Sequence, residues 1–543
     1  MGNSISTVGP RSRGGDPIIV DSPRKIEESY ADYLTDESRY GPAEAKRLVL
    51  ATEEEHVADA LAAAADEGLA VTLSAGRTGI VGGAVPRGGV LLSLANMNRV
   101  LGVSRGGDGA VILRAEPGIT ISDLRERLEA GSLSDEASDL DEESRRAIED
   151  LRGDGRSWFY PPDPTEDTAH LGATVATNAS GARSFRYGAT RRHVTGMRVV
   201  LAGGGVLDVN RGDCVADDRA FEVRATDGPI RFEVPSYEMP ATKNAAGYYA
   251  APGMDLVDLF VGSEGTLGVL TEVRVALSPA PEGILSAIAF FDSDEDAVSF
   301  VCDARDRLRP LALEFFDSMS LDFLRERKRE EGAGSEIPEL PEDARSGVLF
   351  EQDYVEDDLL EVYEAWEDVL TEHGSSMERT WGGMEEAELK RLKALRHGLP
   401  DQVNGLIARA KARHPEIHKI GTDAAVPSRS LRDMLSFCRE LMADSGLRYI
   451  IFGHIGDNHL HLNILPGDPG ELATGKELAL AVARRAVEMG GTVSAEHGIG
   501  RIKHDFLRVM YGDEGLRQMA AVKRALDPTG LLNRGVMFPD ELL

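Results

Sequence analysis

The sequence predicts an α+β fold in two parts, on three observations. From about residue 40 to 280, short apolar runs alternate with glycine turns, but the helices between them fall irregularly, unlike the strict alternation of a doubly wound sheet. From about Pro281 a strand-then-helix pattern occurs twice and is followed by a strand pair. At 42% hydrophobic residues over 543 positions, the chain has apolar material for more than one core.

In the first part VTLSAG, GGVLLSL, GAVILRAEPG, GMRVVLAGGGVLDV and LGVLTEVRVALSP read as strands bounded by glycine. EEEHVADALAAAADEG has apolar residues at helical spacing and stops at Gly68. SDLRERLEAG starts with Ser122 as N-cap and stops at Gly131. Residues 1–40, opening on a Gly, Ser, Pro and Arg-rich stretch, are expected to be disordered or extended. Residues 130–156 are acidic and Ser-rich, an insertion expected to be solvated with one short helix.

In the second part, EGILSAIAFFDSDEDAVSFVCDARDRL and RSGVLFEQDYVEDDLLEVYEAWEDVLTEHG each read as strand then helix. LRYIIFGHIGDNHLHLNILPG reads as two strands around a turn, and the whole suggests an antiparallel sheet. EEGAGSEIPELPED is a loop by composition, and AVKRALDPTGLLNRGVMF a helix stopped at Asp527-Pro528 and followed by an extended tail. The expected organisation is a segment 1–40, a domain 41–280 interrupted at 130–156, and a domain 281–543.

Sixty basic against 92 acidic residues give a net charge of −32. That excess argues against nucleic acid as a partner, which requires a basic surface, and against a polybasic lipid anchor. Three scattered cysteines, Cys214, Cys302 and Cys438, form neither a disulfide framework nor a cluster-ligand set, and a reducing cytoplasm fits. No apolar run is long enough to span a membrane, and the N-terminus lacks the apolar core of a secretory signal. Gly2 and Ser6 match an acylation pattern.

Five motifs carry chemistry. SAGRTGIVGGAVP, 74–86, is either a glycine hairpin or a turn whose backbone N–H groups approach a pyrophosphate; its spacing is not the Rossmann fingerprint. PPDPTEDTAHLGATVATNASGARSFRYGATRRHVTGMRVV, 161–200, is punctuated by Gly172, Gly181 and Gly188 among small hydroxylated residues that suit a buried, uncharged, multi-ring ligand. LFVGSEGTLGVLTEVRVAL adds Gly262, Gly265 and Gly268. IFGHIGDNHLHLNI puts His454, His459 and His461, three of the twelve histidines, on a predicted hairpin. They are either hydrogen-bonded structural histidines or ligands of a divalent transition metal. VSAEHGIGRIK adds Glu496 and His497; a carboxylate with two imidazoles holds zinc, iron or manganese and leaves positions open for substrate.

The three glycine-rich segments, in this order, resemble the flavin-binding domain of the FAD-linked oxidase family, with its vanillyl-alcohol-oxidase-type fold. Within that family the segments resemble those of D-lactate, glycolate and D-2-hydroxyglutarate dehydrogenases. The resemblance continues through the Lys243-Asn244-Ala245-Ala246-Gly247-Tyr248 box, GHIGDNHLHLN, AEHGIG and LDPTGLLNRG, up to residue 538. It implies a vanillyl-alcohol-oxidase-type FAD-binding domain followed by an α+β cap domain with an antiparallel sheet. The flavin would be noncovalent, since no His or Cys lies near the first loop. It would be held by Ala75, Gly76, Arg77, Thr78, Gly79, Gly82, Pro162, Gly172, Thr174, Asn178, Gly181, Gly188, Gly268, Val269 and Asn533.

Departures from the family pattern are Arg77 at a glycine of the phosphate turn, Arg534 for proline, and Asn458-His459 where the family has Gly-Asn. His459 then either caps the turn or approaches substrate. By the same resemblance His454, His461 and Glu496 are metal ligands, with zinc the expected metal and iron or manganese the alternatives. Asn463 contacts substrate and His497 is the catalytic base. ELKRLKALRHGLP resembles a segment whose arginine, here Arg396, binds the substrate carboxylate; the alternative is an arginine near a helix end complementing the dipole. Lys419 is a candidate for a second carboxylate.

The implied function is oxidation of a D-2-hydroxyacid (lactate, glycolate or 2-hydroxyglutarate class) to the 2-oxoacid. The hydroxyl would be deprotonated with metal assistance and the hydride passed to flavin N5. A separate acceptor follows: an electron-transfer flavoprotein, a quinone or an iron–sulfur subunit. The expected location is cytoplasmic or peripheral at the membrane, and a homodimer is left open. The alternatives are an alkylglycerone-phosphate-synthase-like FAD enzyme, a metal-free flavin oxidase, and a non-catalytic flavin-binding subunit of a dehydrogenase complex.

Overall fold

The computed structural model describes residues 5–12, 15–106, 109–133, 140–153, 155–225 and 228–543. Gly2, part of the acylation pattern, lies outside the described residues, as do 134–139 and 154 of the acidic insertion. The fold is α+β, built on three sheets.

A four-stranded sheet aligns Arg47–Leu50, Val90–Ser93 and Val71–Ser74 in parallel, with Ile18–Val20 antiparallel at one edge. The helix Glu54–Asp66 buries Val57, Leu61 and Ala64 in the core shared with this sheet, and Gly68 ends it at φ +65°. A nine-stranded sheet is centred on the hairpin Val194–Val200/Val206–Asn210 and the strand Val269–Pro279. A seven-stranded antiparallel sheet runs through Thr380–Gly383, Gly283–Phe291, Ser346–Tyr354, Ala312–Phe316, Tyr449–Gly453, His461–Ile464 and Ile420–Gly421, in that spatial order.

Four expectations are corrected. The segment expected to be disordered or extended instead contributes to two sheets. Ile5–Val8 inserts between Ala220–Ala225 and Val206–Asn210, and Ile18–Val20 pairs with Arg47–Leu50. It also forms the helix Pro23–Ser29, capped by Ser22. The reason is backbone satisfaction: these short β-branched runs find unpaired edges far away in sequence. Secondly, Thr120 caps the helix Ile121–Glu129 by accepting from the Asp123 N–H, with Ser122 one residue inside. Thirdly, the insertion is not merely solvated. Its helix Glu142–Gly153 buries Ala147, Ile148 and Leu151 and packs on the edge strand Val100–Arg105. Fourthly, Arg396 is not near a helix end. The helix Glu386–Lys411 runs through Pro400 because Leu392, Leu395, Leu399 and Val403 bury one continuous face. Pro400 has no N–H to give the Arg396 carbonyl.

Burial also sets a pH dependence. Asp317 caps the helix Ser318–Glu331, its Oδ1 accepting from Ser320 N at 2.8 Å, while Oδ2 is buried without a partner. Burial pushes its pKa up to about 6. A folded-state pKa above the unfolded one favours the fold at low pH, and that benefit disappears as pH rises from about 4 through about 6. Asp317→Asn keeps the cap and lacks the charge. Its stability relative to the parent is therefore expected to improve by up to about 3 kcal/mol between pH 4 and 7, read by thermal unfolding at each pH. A pH-independent difference contradicts this.

Candidate active site

The loop between the helices Pro469–Glu488 and His504–Leu526 stitches the two parts together. Thr492 N donates to Ala425 O and Ala495 N to Asp423 O, both in the second part. Arg501 N donates to Val81 O, and the Glu264 carboxylate accepts from Ile499 N and Gly500 N, each at 2.7 Å, tying the loop to the first part. Glu496 and His497 therefore sit on the seam.

On the first-part side of that seam is a cleft of about 1650 Å³, its open mouth included. All three glycine-rich segments line it, and Glu496 and His497 form its far wall. Of the residues expected to hold flavin, Ala75, Arg77, Thr78, Gly79, Gly172, Thr174, Gly268 and Asn533 line the cleft. The walls fit a dinucleotide. They are rich in Gly, Ala, Ser and Thr, and a Cβ at Gly79 or Gly83 would meet nothing within 4 Å, leaving room for a ligand against the backbone. Arg77 fits its turn at φ +59°, with its guanidinium 4.3 Å from the Tyr33 ring centroid. The N-terminal segment thus clamps the phosphate-turn candidate.

Gly76, Gly82, Pro162, Asn178, Gly181, Gly188 and Val269 do not line the cleft, and several shape it from behind. Asn178 closes the helix Leu171–Thr177 in the left-handed conformation, bonding Asn244 O and Arg191 N. Val269 is a buried strand residue. A Cβ on Gly181 would lie 1.9 Å from Asp163 O. Gly181→Ala is expected to cost at least about 1–3 kcal/mol and to lower flavin retention, read by melting temperature and bound-flavin content. Parent-like values for both contradict the placement.

On the other side of the seam lies a polar cage. The register of the seven-stranded sheet pairs Phe315 with Gly453 and Phe452 with His461, bringing Glu314, His454 and His461 together. Asn458, at φ +55°, makes the turn that returns the chain. His454 Nδ1 contacts Glu314 Oε1 at 2.5 Å, and its Nε2 lies 3.0 Å from Glu496 Oε1. His461 Nδ1 lies 3.1 Å from Thr422 O, and its Nε2 faces Glu496 Oε2 at 3.8 Å. Lys243 Nζ holds Glu496 Oε1 at 2.5 Å, and Arg396 Nε lies 3.4 Å from Glu314 Oε2. The two buried carboxylates are thereby neutralised.

These contacts set protonation. Burial alone would lower His454, but Glu314 and Glu496 push it up to about 9, so a cation binding there would displace its Nε2 proton. Burial, then the His459 ring, holds His461 well below the ordinary value, so its Nε2 keeps a lone pair. Glu496 stays ionised because His454 and Lys243 outweigh its burial. Asp423, ionised through His497 and Lys503 despite its burial, lies 3.2 Å from His497 Nδ1 and accepts from Lys503 Nζ at 2.8 Å. His497 is 30% exposed toward the cleft that it lines.

His454, His461, Glu496 and His497 are thus brought together as expected. Arg396 stands behind His454, through Glu314. Asn463 is buried in its strand with Nδ2 3.4 Å from His461 O, and lines no part of the cleft. Lys419 lies half-buried beside Ile420–Gly421, and desolvation lowers its pKa. Sequence reading missed the roles of Glu314, Asp423 and Lys243. The one available signal was a carboxylate inside the apolar strand ALEFF. The donor chemistry suits a divalent cation: three imidazoles and one carboxylate offer ligand atoms all within 4.8 Å of one another.

The profile for FAD linked oxidases, C-terminal domain, matches residues 280–537, and that for an FAD binding domain matches 45–141 and 153–210. The chain is 29% identical to D-lactate dehydrogenase of Anaerostipes hadrus over 527 residues, covering 95% of this chain and 94% of that one. It is 30% identical to glycolate oxidase subunit GlcD of Escherichia coli (strain K12) over 483 residues, covering 86% and 78%. A solved 4-ethylphenol oxidase from Gulosibacter chungangensis shares the fold, with a TM-score of 0.62 at 19% identity, covering 97% of this chain and 95% of that one.

Proposed function

The chain belongs to the FAD-linked oxidase family and is an FAD-linked oxidoreductase, and from that premise we propose that it oxidises a D-2-hydroxyacid to the 2-oxoacid at the seam between residues 41–280 and 281–543. One observation carries this reading: the glycine-lined cleft ends on Glu496 and His497, against the imidazole cage. The resemblance to D-lactate dehydrogenase and glycolate oxidase supports the substrate class.

When bound, FAD supplies the hydride acceptor and a divalent metal supplies Lewis acidity. FAD would be held by the three glycine-rich loops, and the metal by His454, His461 and Glu496. The chain's own residues do the rest. His497, its Nδ1 side held by Asp423, presents Nε2 to take the hydroxyl proton. Arg396, paired with Glu314 behind His454, would provide a guanidinium for the carboxylate. Glu264 fixes the loop that carries both Glu496 and His497, so base and metal ligand move as one unit.

The cysteines are all free, and Cys214 and Cys438 are buried, so reoxidation falls to a separate acceptor such as an electron-transfer flavoprotein, a quinone or an iron–sulfur subunit. Among the described residues no helix is long and apolar enough to cross a membrane. The test is anaerobic mixing of the purified holoprotein with paired D- and L-2-hydroxyacids. Loss of the oxidised flavin's visible absorbance with at least one D-isomer, and with no L-isomer, is expected. Bleaching by L-isomers alone, or by none of the panel, overturns the substrate class.

A further inference from the structure

His459 has no counterpart in the family pattern, yet it is fully buried at the centre of the cage. Its ring centroid lies 4.3 Å from that of His461 and 5.5 Å from that of His454. Its Nε2 is 3.0 Å from Asp423 Oδ1, at ion-pair distance but not in hydrogen-bond alignment. Its Nδ1 is buried with no hydrogen-bond partner and lies 3.9 Å from Glu496 Oε1. An orphaned buried nitrogen is costly and calls for an occupant. A turn-capping role does not supply one, because the turn is made by Asn458 and by the backbone bond from His459 N to His454 O.

All three imidazoles follow one rule. In each, one nitrogen rests against an oxygen: Glu314 for His454, Thr422 O for His461, Asp423 for His459. In each, the other nitrogen turns toward Glu496. That is the placement by which outer-shell oxygens aim metal-binding histidines.

We propose that His459 Nδ1 is a fourth protein ligand, so that the cage holds its divalent cation by three imidazoles and one carboxylate. The inference rests on the metal reading above and deepens it. With four protein donors rather than three, a bound cation would have one position fewer for a hydroxyacid oxygen. Asp423 then serves two histidines at once, orienting the ligand His459 and the base His497.

The test loads the FAD holoprotein with Zn²⁺ alone and counts imidazoles by X-ray absorption fine structure. Three are expected; two overturn the inference while leaving the metal reading intact. Failure of the parent to bind Zn²⁺, Mn²⁺ or Fe²⁺ stoichiometrically sinks both. A second arm compares Zn²⁺ affinity of the parent and His459→Gln by chelator competition, with bound flavin and melting temperature confirming the fold. Weakening by at least about 10–100-fold is expected, since even outer-shell partners cost that much. Equal affinity in a folded variant overturns the assignment.

Discussion

Glu496→Gln is expected to yield a yellow protein that still holds FAD but whose flavin no 2-hydroxyacid reduces. Glu496 is the point where every element of the site meets. It faces three imidazoles, it is the counter-charge of Lys243, and it forms part of the cleft wall. The amide has nearly the same shape but no charge, so the flavin pocket keeps its walls while the cage loses its only carboxylate ligand. Removing it also leaves the buried Lys243 ammonium with Asp457, 3.6 Å away, as its nearest carboxylate. Breaking a buried pair in this way costs about 3–5 kcal/mol, so a lower melting temperature accompanies the loss. The rate of flavin reduction is expected to fall by more than about 100-fold, since displaced outer-shell partners alone cost 10–100-fold. Anaerobic stopped-flow and metal analysis read both effects. Parent-like reduction rates in this variant contradict the metal assignment.

His497→Gln is expected to keep flavin and metal and to slow flavin reduction by about 10²–10⁴-fold, the usual worth of a positioned general base. His497 is half-open to the cleft while its Nδ1 lies against Asp423, and its ring stacks on His461 with centroids 5.5 Å apart. Gln fills similar space without a ring nitrogen to take the proton. Because the variant should still bind substrate, the loss belongs in the maximal rate rather than in substrate affinity. Unchanged rates, or loss of metal together with activity, contradict the role of base.

The histidines, Glu496 and His497 were legible in the sequence because each group sits in a few consecutive residues on a hairpin or beside a glycine turn. Val111–Ala115, Val194–Val200, Val206–Asn210 and Val269–Pro279 of the nine-stranded sheet were legible for a similar reason, as β-branched runs beside glycine. What was not legible depends on register between distant segments. Glu314 reaches His454 across 140 positions, and Lys243 reaches Glu496 across 253. No local pattern announces either pairing. The strand Ile5–Val8 is four residues long, and its partners lie some 200 residues later. Arg396 was misplaced because Pro400 reads locally as a helix stop, whereas the buried leucine face outweighs one missing backbone bond. The cleft-lining residues were identified better than the glycines behind them. Gly181 stands where any side chain would strike the Asp163 carbonyl, a packing demand that looks the same in sequence as a ligand-binding one.

The central claim is that flavin reduction at the seam depends on a cation held beside His497. The most direct measurement is anaerobic flavin reduction by a D-2-hydroxyacid before chelation, after chelator dialysis, and after re-addition of Zn²⁺, Mn²⁺ or Fe²⁺. Reduction should disappear with the metal and return with it while the bound FAD stays constant. A fully chelated protein whose flavin bleaches at the original rate would contradict the claim.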